Sequence, residues 1–165
     1  MNLILRKATI IDPESPFHNQ TVDIKITNGI FEKIGVSLPK SASHQELEQE
    51  GLHVSQGWFD TSVSFGEPGF EERETIKNGL NVAAKSGFTA VAINANTHPV
   101  IDNKTQVNYI VQQQQHLPIH ILPIGALSKK IEGKDLAEMI DMHQAGAVAS
   151  SDGLYPVQSN LLFLK

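Results

Sequence analysis

The chain has 165 residues, 13 lysines and arginines against 18 aspartates and glutamates, a net charge of −5 and no cysteine. This length suits a real hydrophobic core, while the mild acidity excludes a nucleic-acid surface built on clustered cations. The missing thiols exclude disulfides, thiolate metal sites and a cysteine nucleophile.

No apolar run reaches the roughly 20 residues needed to cross a bilayer. The N-terminus lacks the basic flank and long apolar core of a secretion signal, so the expected location is cytoplasmic. Residues 2–11 alternate loosely between apolar and polar and predict a strand. Thr21 to Thr27 alternates cleanly, with Val22, Ile24 and Ile26 on one face and Asp23, Lys25 and Thr27 on the other. Asn28-Gly29 is a strong hairpin signal, because a type I′ turn needs positive φ at both central residues. Ile30 to Ile34 is the returning strand. Residues 36–50 read as a polar linker, and Leu52-His53-Val54 as one more short strand. Residues 1–54 are thus expected to form a small antiparallel β-sheet.

From Trp58 onward the pattern changes. A strand at Trp58 to Val63 precedes a helix from about Glu72 to Ser86, closed by Gly87. Phe88 to Ile93 is an unbroken apolar run of the kind buried on both faces. A second helix spans Asp102 to His116, with Val107, Ile110, Val111 and Gln114 at helical spacing, and its Gln112–Gln115 run is expected to face solvent. Ile119 to Ile124 is a third strand. A third helix, Lys134 to Gln144, puts Leu136, Met139, Ile140 and His143 on one stripe, and Ala147 to Ser150 is a fourth strand. The strands recur about every 30 residues, the allotment of a (β/α)₈ barrel. An open doubly wound sheet shows the same period.

The chain is organised around Gly57-Trp58-Phe59-Asp60-Thr61-Ser62-Val63-Ser64-Phe65-Gly66-Glu67-Pro68-Gly69. With Phe70 to Ile76 it resembles the dihydroorotases of the amidohydrolase superfamily. These write the stretch Pro-Gly-Phe-Ile-Asp-x-His-x-His-x-Arg-Glu-Pro-Gly-Phe. Histidines at i and i+2 of a strand end point to the same side and can share one metal. Here both positions hold serine, Ser62 and Ser64, and the arginine position holds Gly66. Neutral hydroxyls are far weaker zinc donors than imidazole. Read by themselves, the serines cap or line a loop. A serine nucleophile would need an orienting base, and nothing here resembles Gly-x-Ser-x-Gly.

The second strand ends in Asn94-Ala95-Asn96-Thr97-His98-Pro99-Val100-Ile101-Asp102, where the family has Pro-Asn-Thr-x-Pro-Val. Asn96 matches the asparagine that contacts the substrate carboxylate there, and an Asx-turn before the helix is the alternative. His98 reads as a loop residue. The fourth strand runs into Ala149-Ser150-Ser151-Asp152-Gly153-Leu154-Tyr155-Pro156-Val157, resembling the family's Phe-Ser-Asp-Asp-Gly-x-Pro-Val. Asp152 stands at the position of a metal-bridging aspartate, while Gly153 and Leu154 replace the second aspartate and the glycine. Asp152 is therefore a residual metal position whose site is expected to be empty, and by itself it reads as a turn cap. The family's remaining ligands and its catalytic aspartate belong to strands five to eight, beyond these residues.

The resemblance implies an α/β fold: the first half of a (β/α)₈ amidohydrolase barrel over 55–165, beside the small sheet. It implies descent from a cyclic-amide hydrolase of pyrimidine biosynthesis, in whose active members a zinc-activated hydroxide attacks the ring. For this chain it implies no bound cofactor and no hydrolysis. The alternatives are a non-catalytic scaffold for aspartate transcarbamoylase, or a remnant that binds a carboxylate at Asn96. The expected partners are a second copy or the other half-barrel, because unclosed sheet edges attract pairing. On this reading Val91, Ile93, Ile119 and Ile121 and the tail Leu161-Leu162-Phe163-Leu164 present bare apolar surface. Neither nucleic acid nor membrane is expected.

Overall fold

The computed structural model describes residues 1–114, 119–159 and Leu162. It divides into two compact units, Met1–Gln56 and Gly57–Lys165.

The first unit is a five-stranded sheet built on β1 (Leu3–Ile11). β1 pairs antiparallel with β2 (Thr21–Thr27), and β2 pairs antiparallel with β3 (Ile30–Gly35). At the turn joining β2 to β3, Asn28 and Gly29 have φ of 54° and 80°, as the type I′ geometry requires. The stretch expected to be a linker contains a further strand, β4 (Gln45–Glu48), which runs parallel to the first half of β1. Beside the backbone ladder, Arg6 on β1 takes both oxygens of Glu46, at 2.8 and 3.2 Å. β5 (His53–Ser55) pairs with the second half of β1. Ala8, Ile10, Val22 and Ile24 form the core.

Asp23 departs from the expected polar face. It is buried, because Arg6 donates to it at 2.7 Å and the amides of Lys7 and Leu38 donate at 3.0 Å each. Burial alone pushes its carboxyl pKa up, but these hydrogen bonds outweigh it and hold the group below its ordinary value.

The second unit is a parallel sheet in the order β6 (Trp58–Val63), β7 (Phe88–Ile93), β8 (His120–Gly125) and β9 (Ala149–Ser150). The strands add in sequence order. A doubly wound sheet reverses order at a switch point, and a barrel does not, so this is the opening half of a (β/α) barrel. α1 (Ile76–Lys85) and α2 (Lys104–Gln112) connect the first strands.

α1 begins later than Glu72, because Thr75 caps it by accepting from the Asn78 amide and Glu67 accepts from the Ile76 amide at 2.7 Å. α2 is capped by Asn103 and ends at Gln112, short of the expected end. Gln115 and His116 lie outside the described residues. Gln114 does not simply face solvent: its Oε1 accepts from the Ile121 amide at 3.1 Å. The third helix is cut to α3 (Met139–Gln144). The Asp135 carbonyl and the Ala137 amide bond across to Lys129 and Leu127, so the chain there is extended.

β7 is fully buried only over Val91–Ile93; Phe88 and Ala90 are half-buried and Thr89 is exposed. Val91, Ile93, Ile119 and Ile121 do not form bare surface. They lie buried in one core cluster with Ile76 and Leu80 of α1, Val107 and Ile110 of α2 and Met142 of α3. Of the apolar tail only Leu162 is described, and it too is buried. Among the described residues no helix is long and apolar enough to cross a membrane.

Candidate functional site

Parallel strands present their carboxyl ends at one edge, where the loops of β/α units form sites. Here those ends enclose a cavity of about 550 Å³, lined by Thr61, Ser62, Ser64, Asn94, Asn96 and Asp152, with Leu154 and Tyr155 on the loop after β9.

Ser62 lies where the β6–β7 register shifts, and its amide donates to the Asp60 carboxylate at 3.0 Å. Ser62 and Ser64 do share a side, because the Asn94 Nδ2 donates to each hydroxyl at 3.1 Å. Ser64 in turn donates to Asn96 Oδ1 at 3.2 Å. Two serines on one strand end therefore interlock with two asparagines on the next. The set is neutral and offers both donors and acceptors. No imidazole, ammonium or carboxylate contacts either serine hydroxyl through a hydrogen bond among the described residues, so no base prepares a nucleophile.

Asp152 is 6% exposed. It does not cap the turn that follows through its side chain. Its Oδ1 accepts from the Leu127 and Ser128 amides, both at 2.9 Å, and its Oδ2 accepts from the Ser128 hydroxyl at 2.5 Å. Ser128 Oγ also accepts from the Gly133 amide at 2.8 Å. The carboxylate thus ties the loop after β8 to the loop after β9.

Zinc, the ion that the resemblance implies, asks for imidazole, thiolate or carboxylate donors converging in a tetrahedron. Ser62, Ser64 and an Asp152 already holding three donors do not supply them. Among the described residues no three His, Asp or Glu side chains converge. The residues present do not fit the ion.

The Glu67–Phe70 and Asn96–Val100 blocks meet in space. The His98 amide donates to the Pro68 carbonyl at 2.9 Å. Gly69, at φ 95°, lies so close to the His98 carbonyl that a Cβ would overlap it. His98 itself is exposed, its ring beside Phe70. Glu67 accepts from the Tyr109 hydroxyl at 3.2 Å, and partial burial, then the Glu67 charge, raises the Tyr109 pKa. The Gly69 amide, donating at 2.9 Å, keeps Glu71 below the usual carboxylate range.

Asn96 lines the cavity, and the alternative Asx-turn does not form, because the His98 amide donates to Pro68 and the Asn96 Oδ1 accepts from Ser64. Sequence reasoning missed Asn94, the hub of the cluster, and Ser128, the partner of Asp152. Asn94 had a signal: Asn94 and Asn96 repeat the two-residue spacing of Ser62 and Ser64 on the adjoining strand. Ser128 had none.

Residues 52–164 match the dihydro-orotase-like family model. The dihydroorotase of Ruminiclostridium cellulolyticum is 35% identical over 166 residues, covering all of this chain and 38% of that protein. That of Geobacter sulfurreducens is 37% identical over 163 residues, with 98% and 38% covered. The chain thus spans well under half the length of these relatives. Among solved structures, an L-hydantoinase (dihydropyrimidinase) from Arthrobacter aurescens superposes with a TM-score of 0.75 at 18% identity, over 98% of this chain and 36% of its own. A dihydroorotase superposes with a TM-score of 0.60 at 12% identity, over 90% of this chain and 41% of its own. Both show the same fold.

Proposed function

This chain belongs to the dihydro-orotase-like family, and from that premise we propose that it does not hydrolyse cyclic amides by itself and serves as a non-catalytic scaffold in an assembly. One observation carries the reading: the two positions matching the family's paired histidines are serines whose hydroxyls are held by Asn94. A hydroxyl so held has neither the donor strength to fix zinc nor a base to make it a nucleophile. Asp152 supports the reading from the other side of the cavity, since all three of its hydrogen bonds serve the main-chain loops and Ser128.

Descent from the pyrimidine pathway makes aspartate transcarbamoylase the partner to test first. The edge strand β6 is the surface such an assembly would cover, with Trp58 61% and Phe59 50% exposed. The test is zinc content by elemental analysis after equilibration with zinc and dialysis, with dihydroorotate hydrolysis assayed on the same sample. The expected result is far less than one zinc per chain and no hydrolysis above the buffer rate. Stoichiometric zinc together with turnover overturns the proposal.

A further inference from the structure

Beside the serine–asparagine cavity lies a second one, of about 310 Å³, lined by Phe70, Arg73, Asn96, Thr97, Val100, Lys130, Ile131 and Tyr155. Its volume is at the low end for small-molecule sites. Its charge is one-sided: Arg73 and Lys130 line it, and among the described residues no carboxylate does. We propose that this cavity binds a phosphoryl dianion, with Arg73 and Lys130 as its two cations and Asn96 as a neutral donor.

Three features position these groups. The Arg73 guanidinium carbon stands 4.4 Å over the Phe70 ring, a cation–π contact that restrains an otherwise mobile side chain. Lys130 sits at φ 55°, and its amide donates to Asp102 Oδ2 at 3.0 Å, so the backbone that carries the ammonium is fixed. Asp102 holds the main chain there and is not among the lining residues. Asn96 turns Oδ1 to the Ser64 hydroxyl, which leaves Nδ2 as the end able to donate to an anion. The competing acid is Glu72, 3.9 Å from Arg73 Nε, with both side chains mostly exposed. A pair of that kind is screened and weak.

A planar guanidinium matches two oxygens of a phosphoryl group, and an ammonium adds a compact charge for a third. Two cations complement a dianion better than a single carboxylate. Asn96, Ile131 and Tyr155 line both cavities. A ligand anchored by its phosphoryl group therefore has neutral hydrogen-bonding groups within reach for the rest of its body. The proposal does not depend on whether the chain hydrolyses anything.

The experiment is calorimetric titration of the 165-residue chain with inorganic phosphate, and separately with acetate. It is repeated on Arg73→Gln, Lys130→Gln and Lys33→Gln, the last an exposed lysine of β3 in the other unit. Thermal melts establish that each variant is folded. We expect saturable phosphate binding that weakens as salt is raised. Arg73→Gln and Lys130→Gln should each lower the affinity about tenfold, the loss of one charge-assisted contact. Lys33→Gln should bind like the parent, and acetate should bind more weakly than phosphate. No saturable phosphate binding overturns the proposal. So does binding that neither cation variant weakens, and so does acetate binding as tight as phosphate.

Discussion

Replacing Asp152 by alanine should destabilise the second unit severely, and its size can be worked from the contacts. The substitution removes the acceptor for the Leu127 amide, the Ser128 amide and the Ser128 hydroxyl. A buried donor left unsatisfied costs about 1–3 kcal/mol. Ser128 is wholly buried and supplies two of the three donors, whereas Leu127 is only partly buried, so water can replace part of its loss. The net expectation is about 3–5 kcal/mol. Asp152→Asn keeps an oxygen for the two amides but presents Nδ2 to the Ser128 hydroxyl, which then loses its acceptor. That variant should lose about 1–2 kcal/mol, since a neutral acceptor is roughly half as strong. The assay is urea unfolding followed by fluorescence. The only tryptophan, Trp58, lies in the second unit, so the signal reports on that unit. With a slope of about 1–3 kcal/mol per molar urea, the alanine variant should shift the midpoint by 1 M or more. Ser128→Ala combined with Asp152→Ala should be clearly less than additive, because both remove the same contact. An alanine variant with the parent's midpoint refutes the reasoning and returns Asp152 to the pool of possible ligands.

Two further outcomes are expected. Asp23 in the first unit has a folded pKa below its unfolded one, so its stabilisation is present above about pH 4 and is lost as pH falls through the folded value. Urea midpoints of the first unit, followed by far-UV circular dichroism because that unit holds no tryptophan, should therefore fall as pH drops below about 4, and less steeply in Asp23→Asn; equal slopes in the two proteins contradict the assignment. The 165-residue chain should also self-associate, because β6 is a sheet edge carrying exposed Trp58 and Phe59. Light scattering at micromolar concentration checks this, and a monomer with a cooperative melt rules it out.

Residue pattern placed β2, β6 and β7 to the residue and the Asn28-Gly29 turn to its type, because alternation (β2), an apolar run (β7) and φ at single positions are local properties. The same reading lost β4 and put the start of the third helix at Lys134, where it begins at Met139. In both places hydrogen bonds outside the local period matter: Arg6 reaches Glu46, remote in the chain, and Lys129 with Leu127 captures the nearby Asp135–Ala137 segment in an extended form. The motif residues Ser62, Ser64, Asn96 and Asp152 were legible as positions, but their roles were not.

The sequence by itself determined the family, the order of strands and helices from Trp58 onward, and the absence of imidazole at the paired ligand positions, since these are properties of residue type and spacing. Only the tertiary structure decided that Val91, Ile93, Ile119 and Ile121 pack beneath helices, that Asn94 unites the two serines, and that Asp152 faces Leu127 and Ser128. The physical reason is that a buried polar group takes whichever donors folding brings within 3 Å or so, and those donors lie one or more β/α units away in the chain.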